Sequence, residues 1–147
     1  MYKTILIATD GSPLSEKAVT AGVALAGVLR AKIVAIHVFR LHFNFPLDDM
    51  ETFDSETLAQ LRESAQRAGR KILDQVEKQA RSAGVECAAE PVEGEWPWQR
   101  IIQTAKDKNC DLIVMASHGY HGFRGLVLGS ETNKVLTHST IPVLVYR

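Results

Sequence analysis

The chain has 147 residues, the size of one domain, and a chain of that length builds a core that needs no staples. Hydrophobic residues at 46% and charged residues at 23% exclude disorder and low complexity, and seventeen Lys+Arg against seventeen Asp+Glu exclude a global pull toward nucleic acid or an anionic membrane. Two cysteines, Cys87 and Cys110, are too few for a disulfide framework or a four-thiolate zinc site.

Tyr2 to Thr9 is predicted to be a buried strand, because it is rich in branched residues and stops hard at Asp10-Gly11-Ser12. Ser12 suits the cap of the next helix and Pro13 its first position. That helix is expected to run to about Arg30, with Leu14, Ala18, Ala21, Leu25 and Val28 on its apolar stripe. Lys32 to Phe39 reads as a second strand. Segment 40–54 is irregular, aromatic and then acidic (Phe43, Phe45, Leu47 and Phe53 among acids), a pattern of lids and partner surfaces. Ser55 opens a long helix to Ala83, carried by Leu58, Leu61, Ala65, Ala68, Ile72, Val76 and Ala80, and Gly84 stops it.

Val85 to Pro91 alternates and ends in proline, as an edge strand does. Trp98 to Lys108 predicts a short helix with Ile101, Ile102 and Ala105 inward, anchored by Trp96 and Trp98. Asp111 to Ala116 is a fully apolar strand. After the glycine-rich stretch 117–130, Ser130 is expected to cap a helix through His138, and Ile141 to Tyr146 forms the last strand. No repeat or linker interrupts the order β-α-β-α-β-α-β-α-β. Continuous apolar strands separated by helices predict an α/β fold: one domain over 1–147 with an open, parallel five-stranded sheet covered on both faces. Ligands of such sheets sit at the carboxyl ends of strands, where the strand order reverses.

The residues that carry chemistry gather at the ends of strands one and four. Gly119, Gly122, Gly125 and Gly129 fall within eleven residues, and Gly129-Ser130 opens a helix. Glycines let backbone approach a ligand or take positive φ, and a helix start offers free N–H groups to an anion. Phosphate binding and a plain turn-making connection are both open from this spacing. A Walker loop is excluded, since Gly129 stands where its lysine would precede Ser130, and no Gly-x-Gly follows the first strand.

These residues resemble the universal stress protein family along essentially the whole chain. The resemblance rests on Ile5-Leu-Ile-Ala-Thr-Asp10-Gly-Ser, Ile36-His37-Val38, Asp111-Leu-Ile-Val-Met and Ser117-His118-Gly119. It continues through Gly129-Ser130, Asn133-Lys-Val-Leu and Ile141-Pro-Val-Leu-Val. The nucleotide-binding branch of that family carries Gly-x2-Gly-x9-Gly-[Ser/Thr]; here Gly119, Gly129 and Ser130 match and Ala116 replaces the first glycine. The resemblance implies sheet order 3-2-1-4-5 and a Rossmann-like cleft for ATP, AMP or another adenine nucleotide, with Mg²⁺ accompanying a triphosphate.

It also implies roles. Asp10 would accept bonds from ribose hydroxyls, although capping the following turn is an alternative use of its carboxylate. Ala8 and Thr9 would line the cleft, Val38 would meet the adenine edge through its backbone, and Met115 and Ala116 would lie beside base and ribose. Gly119, Gly129, Ser130 and the Glu131 amide would hold phosphates, with the Glu131 charge turned away. His118 and Arg124 are candidate phosphate contacts; His118 and His121 lack a third ligand for a metal. His37 is expected to be a satisfied buried histidine, and both cysteines inert apolar residues.

Three functions compete. The first is a nucleotide-dependent stress-response or signalling module, and the second an adaptor for protein partners with a vestigial pocket. The third is a slow ATPase, which lacks a visible lysine, Mg²⁺ and base assembly. The resemblance also implies a homodimer joined through strand 141–146. The apolar run at the start is about four residues, short of the ~7–15 of a signal sequence, and no run approaches the ~18 of a membrane span. A cytoplasmic protein is therefore expected, without nucleic-acid or membrane partners.

Overall fold

All five predicted strands form, and helices alternate with them, in a computed structural model that describes residues 1–41, 54–119 and 127–147. The elements are β1 (Thr4–Ala8), α1 (Pro13–Leu29), β2 (Lys32–Phe39), α2 (Ser55–Ser82), β3 (Cys87–Glu93), α3 (Pro97–Asp107), β4 (Leu112–Ala116), α4 (Ser130–His138) and β5 (Val143–Tyr146). The sheet is parallel throughout, in the order β3-β2-β1-β4-β5.

Successive side chains of a strand point to opposite faces, so a strand covered on both sides reads as an unbroken apolar run. Ile5, Ile7, Ile33, Ala35 and Val114 pack on one face with Val19 and Val23 of α1 and Leu73 and Val76 of α2. Leu6, Ile36, Ile113 and Met115 pack on the other with Ile101, Ile102 and Ala105 of α3 and Val135 of α4. Asp111, just before β4, accepts the backbone N–H groups of Lys3 and Thr4 at 2.8–3.1 Å, which pins the start of β1 beside β4.

The helices differ from expectation in the face they bury. In α1 the buried residues are Ser15, Ala18, Val19, Gly22, Val23 and Ala26, while Val28 is exposed. Close approach decided this: a Cβ on Gly22 would lie 2.8 Å from Ile7 Cδ1, so the helix turns its small residues to the sheet. In α2 the buried stripe is Gly69, Leu73, Val76 and Ala80, whereas Leu61 and Ala68 face outward. Gly69 lets α2 press on His37 and Pro91, each 3.0 Å from where a Cβ would stand.

Boundaries moved too. β3 does not end at Pro91 but runs on to Glu93; as an edge strand it leaves one side unpaired and tolerates the missing N–H. β5 begins at Val143 rather than Ile141, because Ile141 closes a turn in which its N–H donates to Ser139 Oγ at 3.0 Å. Ser12 caps α1, accepting from the Ser15 N–H at 3.3 Å, with Pro13 first in the helix as expected. Most of the segment expected to be a lid or partner surface, residues 42–53 with Phe43, Phe45, Leu47 and Phe53, lies outside the described residues.

Candidate functional site

The sheet order reverses between β1 and β4, and a cleft of about 670 Å³ opens there, at the carboxyl ends of the strands. It receives Ala8, Thr9 and Asp10 from the end of β1, Val38 from β2, Met115 and Ala116 from β4, and His118 and Gly119 from the following turn. Gly129, Ser130 and Glu131 enter from the start of α4. Eleven of the twelve residues singled out in the sequence thus meet in one cavity; Arg124, like His121, lies outside the described residues.

The β1 end is held by a chain of short polar contacts. Buried Ser15 Oγ donates to Thr9 Oγ1 at 2.6 Å and accepts from the Asp10 N–H at 3.2 Å. Asp10 Oδ1 accepts from the Ser12 N–H at 2.9 Å, so one carboxylate oxygen closes the turn. The other lies against Gly119, where a Cβ would overlap it. Of the two uses of Asp10 weighed from the sequence, the structure shows the turn cap, made by Oδ1.

Glycine at 129 answers to close approach rather than to positive φ. Its φ is −57°, and its N–H donates to the Ser117 carbonyl at 2.7 Å, so the two ends of the glycine-rich stretch touch. A Cβ there would stand 3.1 Å from that carbonyl oxygen and 3.2 Å from His118 Cα. The helix cap is Gly129 and not Ser130, which is the first residue of α4, and among the described residues no side-chain cap hydrogen bond is made. The first N–H groups of a helix have no intrahelical acceptor; in α4 they open toward the cleft with the positive end of the dipole. Thr132 Oγ1 donates to the Ala116 carbonyl at 2.9 Å and fixes this helix start against β4.

Ala116 is extended, paired with Tyr146 in the sheet and buried. No positive φ is required where the glycine of the motif is replaced. Glu131 turns its charge from the helix start: Oε2 accepts from the Trp98 N–H at 2.9 Å, and Lys134 Nζ lies 3.6 Å from Oε1. His37 is satisfied as expected, its Nδ1 bonded at 2.9 Å to the Thr9 carbonyl, but it is half-buried rather than buried and lines the cleft.

The sequence matches the universal stress protein family over residues 1–147. The chain belongs to the universal stress protein family. Among its relatives, universal stress protein YxiE of Bacillus subtilis is 34% identical over 149 residues, covering 100% of both chains. Universal stress protein MJ0531 of Methanocaldococcus jannaschii is 33% identical, covering 100% of this chain and 83% of its own. The solved structure of MJ0577, from the same archaeon, superposes with a TM-score of 0.78 at 30% identity over 99% of this chain and 96% of that one. A universal stress protein solved in complex with cAMP shares the fold at 24% identity and a TM-score of 0.71, over 99% and 97% of the two chains.

For this universal stress protein, the sequence did not point to Ser15, Ile36, His37, Arg40, Pro97, Ile101 and Thr132 as cleft residues. Pro97, Ile101 and Thr132 come from α3 and α4, and only their packing over β2 and β4 brings them to the cleft. Arg40 carried one signal, its position two residues beyond Val38 at the end of a strand.

Proposed function

We propose that this protein binds an adenine nucleotide, ATP or a relative of it, in the cleft between β1 and β4, and acts as a nucleotide-dependent stress-response or signalling module. The observation that carries the reading is the convergence on one cavity of the Asp10 carboxylate, the apolar floor of Ala8, Met115 and Ala116, and the open start of α4 at Gly129-Ser130. A carboxylate suits ribose hydroxyls, apolar residues suit a base, and a helix start suits phosphate. Val38 would present backbone to the adenine edge, with His118, Gly119, the Glu131 amide and Arg124 around the phosphates. Mg²⁺ would accompany a triphosphate, riding on its oxygens.

A bound nucleotide biases the protein toward whichever conformation or partner it favours, by its differential affinity. In this reading the protein works in the cytoplasm, which suits its two free thiols, and pairs with a second copy through β5. Among the described residues no helix is long and apolar enough to cross a membrane. A second reading, an adaptor with a vestigial pocket, is favoured by Ala116 in place of the first glycine of the motif. Slow hydrolysis has less support, since no lysine lines the cleft among the described residues. The test is to denature freshly purified protein and analyse what it releases. An adenine nucleotide near stoichiometry is expected. Release of none, with no heat on titrating ATP into the native protein, would leave the adaptor reading.

A further inference from the structure

Helix α3 begins without a cap of its own. Its N-cap is Trp96, with no side-chain hydrogen bond, and Pro97 follows, so the Trp98 N–H is left for an outside acceptor. That acceptor is Glu131 Oε2, from the first turn of α4, at 2.9 Å. The same carboxylate lies 3.6 Å from Lys134 Nζ, which sits 5.6 Å from the centre of the Trp96 ring. A residue that stands at the start of α4 therefore caps a different helix. Pro97 and Ile101 of α3 line one side of the cleft, and Gly129 and Ser130 of α4 line another.

We propose that Glu131 is a positioning residue, which ties the α3 wall of the cleft to the phosphate corner by capping α3 from α4. The inference rests on the nucleotide reading for its consequence, though not for the tether itself. A carboxylate beside the open start of α4 has two possible effects on a phosphate ligand. Left loose, it would repel phosphate and compete for the same amides. Held at the start of α3, it satisfies a backbone donor, meets the positive end of that helix dipole, and leaves the amides of α4 open. The observed hydrogen bond is the second arrangement. A bond between the walls fixes their separation, which matters to the base and ribose as much as to the phosphates.

Two variants separate positioning from charge. Glu131→Gln keeps an oxygen acceptor and removes the charge; Glu131→Ala removes both. Calorimetry with adenosine and with ATP on the full chain is expected to show Glu131→Ala weakening both ligands by roughly threefold or more, the size of a lost helix cap, with Glu131→Gln restoring most of the loss. A loss below roughly threefold for either ligand in Glu131→Ala overturns the proposal, as does ATP binding that tightens in both variants with adenosine unchanged, the signature of plain repulsion. Amide hydrogen exchange at Trp98 in the ligand-free protein tests the tether alone. Exchange should quicken in Glu131→Ala and stay slow in Glu131→Gln; equal rates in parent and Glu131→Ala overturn the proposal. A parent that binds neither ligand while Trp98 exchange responds as expected would fail the nucleotide reading and spare the tether.

Discussion

Ala116 sits where the nucleotide-binding branch of the family carries glycine, and its environment says what the exchange costs. The residue is extended and paired with Tyr146, so the added methyl imposes no backbone strain and only narrows the cleft floor. Ala116→Gly is expected to change nucleotide affinity by less than about tenfold, ~1.4 kcal/mol. It should lower stability by about 0.5–1 kcal/mol, as glycine does within a strand. Calorimetry and urea unfolding read the two. No binding in the parent and clear binding in Ala116→Gly would mean that the methyl closes the pocket. Gly129→Asp is expected to abolish binding and also to lower the melting temperature, because its Cβ would press on the Ser117 carbonyl. The thiols give a residue-scale prediction of another kind. Burial, then the charge of Glu77 on Cys87 and of Asp111 on Cys110, pushes both thiols from 9.0 to about 11. At neutral pH both should react slowly with a thiol reagent in the native protein. Because the folded values lie above the unfolded ones, the stability they contribute is whole below about pH 9 and is lost as pH rises toward 11. A native protein labelled as fast as its unfolded chain would contradict this.

At the scale of elements, the start of α1 and the start of the cleft are one structure. Ser12 caps α1, its N–H bonds Asp10, and Ser15 in the first turn holds Thr9 and the Asp10 N–H. Ser12→Ala is expected to cost about 1 kcal/mol in urea unfolding, the usual worth of a cap, while the backbone N–H that bonds Asp10 is kept. Unchanged stability would mean that the cap carries nothing. The cap itself was legible because Ser12-Pro13 is a local signal. The buried face of α1 was not. Counting apolar residues put Leu14 and Val28 inward, whereas Gly22 is buried because β1 and β4 lie too close for anything larger, and Ser15 because it bonds Thr9 and the Asp10 N–H. Local pattern records hydrophobicity; it does not record how near the neighbouring layer comes.

The whole molecule presents β3 and β5 as the two edges of its sheet. β5 is only four residues, with Leu144 exposed, and an unpaired apolar edge invites another strand. Sedimentation at micromolar concentration is expected to show a dimer, and Leu144→Asp should shift it toward monomer; a monomeric parent would exclude pairing through β5. Strands, their burial on both faces and the α1 cap were readable in the sequence, because each depends on residues adjacent in the chain, whereas the eleven cleft residues came from the resemblance to the universal stress protein family. Pro97 and Ile101 in the cleft wall, the neck between Gly129 and Ser117, and the reach of Glu131 to the Trp98 N–H were decided by tertiary structure alone. Each joins segments far apart in the chain, and such contacts are set by how helices pack on a sheet rather than by any local pattern.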